Sequence, residues 1–235
     1  MKRNHIVCAA AAAILALSAV LCSPAAADMW TYELKIFQIN DAPASNPAGL
    51  RYTVVVNDTD AAGTPLSGQV RFTISNDSDV GTTSDITAVY FDDGLLGIAS
   101  VSPPTTTVRF RPDSVNKVNP GELPAGKNGD LLNPKFTTTL YPDGSGKKFS
   151  ADADNPGPKY GLGYGENVDI TFDIDRSVAE VITRMDTSAL RVGVFIQDLP
   201  GGASGSAVSY IPAPAAVGLG MLGLGLVGWY MRRFA

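Results

Sequence analysis

The chain has 235 residues and a formal net charge of −5. Its only cysteines and histidine, Cys8, Cys22 and His5, lie in the first 27 positions. If that segment is removed on export, the remainder has no thiol and no imidazole. Disulfides, Ser–His–Asp and Cys–His catalysis, and zinc sites with Cys or His ligands are then excluded. Composition favours a non-enzyme.

Residues 1–27 read as a secretory signal peptide. Lys2, Arg3 and His5 form a basic start, Ile6 to Leu21 an apolar run, and Ala25-Ala26-Ala27 a small-residue cleavage site. Signal peptidase is expected to cut between Ala27 and Asp28. A competing reading makes Cys22 the acylated residue of a lipoprotein, but Leu21 stands where a small residue is expected.

Residues 28–211 form a single-domain length with room for a sizeable core. They hold 14 basic and all 23 acidic residues, a balance of −9. So acidic a surface repels nucleic acid and anionic lipid, and no nucleic-acid partner is expected.

Period-2 alternation marks strands along this domain. Tyr32, Leu34 and Ile36 share one face, as do Val70, Phe72 and Ile74. Val168, Ile170, Phe172 and Ile174 follow the same pattern, as do Leu190, Val192, Val194 and Ile196, broken only by Phe195. Further candidates are 50–57, 85–92, 95–101, 105–111, 136–141 and 206–211. Turn signals such as Asp93-Gly94, Asn119-Pro120-Gly121 and Asn155-Pro156-Gly157 separate them. One helix is predicted near 177–186, with Ser177 and Glu180 as a capping box and Val178, Val181, Ile182 and Met185 on one face. About ten short strands and one short helix predict an all-β fold, a β-sandwich of jelly-roll type. The stretch from 112 to 165 has little apolar periodicity and reads as long loops with one or two strands inserted.

Ala215 to Met231 is a 17-residue uncharged stretch ending in Trp229 and Tyr230, followed by Arg232 and Arg233. As a helix it spans roughly 25 Å, enough for a thin bilayer. The aromatics suit the interface and the Arg pair the cytoplasmic side, which leaves the domain outside. Gly218, Gly220 and Gly223 match G-x-G-x-x-G. No strand precedes them and no acidic residue follows, so they belong to the membrane helix and not to a nucleotide site.

Pro212, Ala213 and Pro214, then the apolar stretch, then Arg232 and Arg233, resemble the PEP-CTERM sorting signal of bacterial exported proteins. The body, from Ser84–Ile98 through Gly121–Gly126, Phe149–Asp152 and Gly163–Glu166 to Leu190–Val194, is similar to uncharacterised PEP-CTERM surface proteins. The resemblance implies recognition of 212–235 by an exosortase-like processing enzyme and delivery to the cell surface or extracellular matrix. Ala213 stands where that family usually has Glu. No catalytic residue is implied.

Within the domain the residues offer three chemistries. Asp92 or Asp93 could pair with Glu122 or Glu166 as a glycosidase couple, since two carboxylates suffice. Adjacent strand residues point to opposite faces, so Asp92 and Asp93 cannot pair with each other. Asn57–Asp60, Asn76–Asp79 and Asp152–Gly157 could offer oxygens to Ca²⁺, although ordinary Asx-type turns are the first explanation of all three. Trp30, Tyr160 and Tyr164 could stack on sugars. The expectation is a non-enzymatic exported protein of the cell surface or matrix, without a cofactor. The alternative is a polysaccharide-binding module, with calcium assistance as an option.

Overall fold

The computed structural model describes residues 29–40, 42–43, 47–92, 95, 97–102, 105–112 and 150–210. The leader with Ala27 and Asp28, the tail with Pro212, Ala213, Pro214, Arg232 and Arg233, and the candidate strand 136–141 lie outside these residues.

The described chain is mostly antiparallel β-structure. The strands are β1 (Met29–Ile39), β2 (Ala42–Pro43), β3 (Tyr52–Asn57), β4 (Gln69–Asn76), β5 (Asp85–Phe91) and β6 (Gly97–Val101). They continue with β7 (Phe110–Pro112), β8 (Ser150–Ala153), β9 (Asn167–Asp173), β10 (Val192–Leu199) and β11 (Ala203–Tyr210). Two short helices accompany them, α1 (Gly157–Tyr160) and α2 (Val178–Asp186).

The expected all-β character is present. The strands form one sheet in the order β6-β9-β4-β3-β1-β11-β10-β5-β8-β7, with β2 paired to β1. Its edge strands β6 and β7 approach each other, so the sheet is nearly closed like a barrel. The expected alternations survive as β1, β4, β9 and β10. The 105–111 candidate shrinks to the three residues of β7. β8 is a strand within the stretch read as loops with one or two strands inserted, and α1 adds a helical turn there.

The alternation is the reason for the core. In β4, Val70, Phe72 and Ile74 point inward and are fully buried, while Arg71, Thr73 and Ser75 are half-buried on the other face. Phe72, Phe91 and Phe172 meet edge to face, with ring centroids 4.6–5.7 Å apart. β4 and β9 are neighbours, but β5 lies five places from β4 along the sheet, so Phe91 reaches them across the interior.

Helix α2 joins β9 to β10 and closes one end. Ser177 caps it by accepting from the Glu180 amide at 3.2 Å. The Glu180 side chain turns to Arg184 at 3.4 Å, so only half of the expected capping box forms. Val181, Ile182 and Met185 enter the main core, and Val178 packs against it.

Because neighbours are antiparallel, β3, β5, β7, β9 and β11 all begin at one end of the sheet. We call this the distal end. The opposite, basal end carries Met29, Tyr210 and α2.

The inside–outside assignment is directly testable. Phe172→Asp places a charge among three buried rings and is expected to unfold the domain. Thr171→Asp, on the other face, is expected to leave the melting temperature within a few degrees of the parent. Thermal melts of the two variants check this; equal losses would contradict the assignment.

Candidate functional site at the distal loop end

The distal end gathers the loop residues 47–51, 77–84, 102, 105–109 and 154–166. Asn76, at the end of β4, ties them together. Its buried amide donates to the carbonyls of Ser84 at 2.8 Å and Leu162 at 2.9 Å. Its backbone N–H donates to the Glu166 carbonyl, and its carbonyl accepts from the Gly165 amide. Every polar group of Asn76 is therefore used in holding loops.

The 161–165 segment lies against β5. Leu162 and Ile86 exchange backbone hydrogen bonds at 2.9 and 3.1 Å. Gly161 passes so close that a side-chain carbon there would lie 2.6 Å from the Ile86 carbonyl oxygen. Only glycine permits that approach. Residues 161–166 form a loop leading into β9.

Three carboxylates meet at this end: Asp85 at the start of β5, Glu166 before β9 and Asp198 near the end of β10. Glu166 accepts from the Gly163 amide at 2.8 Å and from the Thr107 hydroxyl at 2.5 Å. An oxygen of Asp85 and one of Glu166 both crowd the place a side chain of residue 163 would take, at 3.3 and 3.4 Å. Burial, then the negative charges of Asp198 and Glu166, push the Asp85 carboxyl up to about 6. Tyr52 lies fully buried nearby. Burial raises its hydroxyl pKa, the charge of Asp85 adds to that, and the hydroxyls of Ser84 and Ser78 oppose it.

The aromatic candidates separate. Tyr160 is stacked under Arg109, whose guanidinium carbon lies 4.4 Å from the ring centroid, with Lys159 at 5.1 Å. Tyr164 is 53% exposed at the distal end. Trp30 is part-buried against the main core at the basal end.

The glycosidase couple does not assemble from Asp92. That residue lies at the basal end of β5, whereas Glu166 lies at the distal end, roughly 20 Å away along a seven-residue strand. Retaining and inverting pairs need about 5–9.5 Å. Asp92 also forms a buried ion pair with Arg191, accepting from its Nε, Nη2 and backbone N–H, each at 2.6 Å. Asp93 and Glu122 lie outside the described residues.

The three calcium candidates carry turn and pairing chemistry. Asp60 accepts from the amides of Ala62 and Thr64, both at 2.8 Å, which with the Thr64 contact leading holds its carboxyl below the usual range. Asp77 accepts from Thr53 at 2.5 Å, and Asp154 forms a two-pronged pair with Arg111 at 2.8 and 2.9 Å. Among the described residues no group of three or more acidic or imidazole or thiol ligands is arranged to hold a metal ion. Sequence reading missed Asp85 and Asp198 because neither belongs to a motif; they meet through strand pairing.

No protein-family model, no curated protein and no solved structure matches this chain.

Asp85 sets a pH dependence. Its folded pKa lies above the unfolded value of about 3.9, so the folded state holds this proton more tightly. The stability it contributes is full below about pH 4 and is lost as pH rises through about 6. Asp85→Asn is expected to raise the melting temperature by a few degrees at pH 7.5 and little at pH 4. Melts of parent and variant at both pH values check this; an equal difference at both would contradict it.

Proposed function

We propose that the chain is an exported, non-catalytic surface protein, whose β-domain is presented outside the membrane by its C-terminal segment. The proposal rests on the sequence of the two ends: a leader cut between Ala27 and Asp28, and a PEP-CTERM-like tail at 212–235. One structural observation supports it. Met29 and Tyr210 lie at the same, basal end of the sheet, with Glu33 opposite Tyr210 in register. A leader and a tail can therefore leave the domain together without crossing it, and the distal loops face away from the anchor.

We read the two halves of the nearly closed sheet, β6-β9-β4-β3-β1 and β11-β10-β5-β8-β7, as facing layers of a jelly-roll-like sandwich. The Phe91 contacts with Phe72 and Phe172 support this reading. In this proposal signal peptidase and an exosortase-like enzyme are the processing partners. Extracellular polysaccharide is the second reading for a ligand. It draws on Tyr164, an exposed aromatic beside the carboxylates of the distal end.

Fractionation tests the anchor. Asp at Leu222 and Leu224 costs about 2.5–3.5 kcal/mol each near a helix centre, so that double variant is expected to leave the membrane fraction. Deletion of 212–235 is expected to release a folded, soluble domain whose mature N-terminus is Asp28 by mass spectrometry. A truncated chain that remains with membranes or precipitates would contradict the proposal.

A further inference from the structure

Of the nine described lysine and arginine side chains, six are held by carboxylates: Lys35, Arg71, Arg111, Arg176, Arg184 and Arg191. Arg51, Arg109 and Lys159 have no such partner among the described residues, although acidic residues outnumber basic ones in the chain. All three lie at the distal end, and two of them share one ring. The Arg109 guanidinium carbon and the Lys159 ammonium lie 4.4 and 5.1 Å from the ring centroid of Tyr160.

The backbone builds this arrangement. Arg109, just before β7, donates its amide to the Tyr160 carbonyl at 3.0 Å, and its carbonyl accepts from the Asp154 amide at 2.8 Å. Its Nε donates to the Thr105 carbonyl at 3.3 Å, which orients the guanidinium plane. Stacking on a ring uses the face of a guanidinium and leaves its N–H edge available. The two Nη groups of Arg109 and the ammonium of Lys159 have no acceptor among the described residues. Asp154, which touches the Arg109 backbone, is taken by Arg111 in the two-pronged pair. Two like charges on one ring repel each other. The negative face of the ring offsets part of that repulsion, and an anion held by both cations offsets the rest.

We infer that Arg109, Lys159 and Tyr160 form a binding site for a single carboxylate borne by an extracellular polysaccharide, as on an isolated uronate among neutral sugars. The inference rests on the polysaccharide reading given above and adds the chemical class of the ligand. The fork of Arg109 matches the two oxygens of a carboxylate, and Lys159 adds a point charge. The surroundings select the carrier. Asp85, Glu166 and Asp198 at the same end, and the balance of −9 over residues 28–211, repel a densely charged polymer such as nucleic acid. The cation pair acts within a Debye length of about 8 Å, which suffices for one carboxylate. Tyr164 is four residues beyond Tyr160, so its backbone lies within about 14 Å, and it offers an exposed ring to a neutral sugar of the same polymer.

Calorimetric titration of the full chain in detergent tests this, with an oligosaccharide carrying one glucuronate among neutral glucose units and with its carboxyl-reduced counterpart. The acidic oligosaccharide is expected to bind about tenfold more tightly or better, from hydrogen bonds to a charged group. That advantage is expected to fall with added salt. Arg109→Gln and Lys159→Gln are each expected to remove most of it, whereas Lys159→Arg retains it. Lys159 is exposed, so its substitution leaves the fold intact, which unchanged melting checks. Tyr164→Ala is expected to weaken both oligosaccharides alike. Equal binding of the two oligosaccharides would overturn the inference and leave the polysaccharide reading standing; binding of neither would overturn both. An advantage that survives Arg109→Gln combined with Lys159→Gln would also overturn it. Glycerophosphate carries the headgroup chemistry of an anionic lipid. If it displaces the oligosaccharide better than glucuronate does at equal concentration, the carboxylate assignment is overturned in favour of a phosphate.

Discussion

The contact of Phe91 with Phe72 and Phe172 is the constraint on which the sheet depends. Phe72 and Phe172 lie on paired strands, so their meeting costs the sheet nothing in shape. Phe91 comes from the other half of the strand order. Its edge-to-face approach at 4.6 and 5.2 Å requires the sheet to curl until its halves face each other. Each such aromatic pair adds about 0.5–1.5 kcal/mol beyond the apolar area buried. The described domain has no cysteine, so this burial carries the closure without a covalent tie. The buried Asp92–Arg191 pair fastens the end of the same strand β5 to the start of β10. Removing one partner of such a pair leaves an uncompensated charge, which is why the pair is a structural fastening and not a free acid.

Curling also sorts the ends of the described domain from its polar loops. An antiparallel sheet of this order returns β11 beside β1, and so brings Met29 and Tyr210 to one end. The distal loops are then tied by Asn76 and weighted with Asp85, Glu166 and Asp198. That end is organised by hydrogen bonds among its own loops. The exposed Tyr164 is its one large outward aromatic among the described residues.

Much of this was legible as pattern. The strands that bury one face, such as β4 and β9, stand out because period 2 is a local property. The helix α2 stands out through Ser177 and its apolar stripe. What was not legible is pairing. Ser150–Ala153 has no apolar signal, and β8 exists because it lies along β5. Asp92 and Arg191 are 99 residues apart, and nothing local links them. Whether ten or so strands make one sheet or two depends on which edges meet, which alternation does not encode. Phe195 did carry a usable signal. It breaks the alternation of β10 just as Ala88 and Tyr90 fill the face of β5 opposite Val89 and Phe91, and strands buried on both faces read as continuous apolar runs. The interruption marked a second apolar cluster on that face.

The closure claim is tested most directly by a double-mutant cycle on Phe91→Leu and Phe172→Leu, read by denaturant unfolding. Both substitutions keep the sites apolar, so the cycle isolates the contact between the rings. The account predicts a coupling of about 0.5–1.5 kcal/mol, with each single variant destabilised by more than the coupling. Additive losses, with no coupling between positions on opposite halves of the sheet, would contradict it.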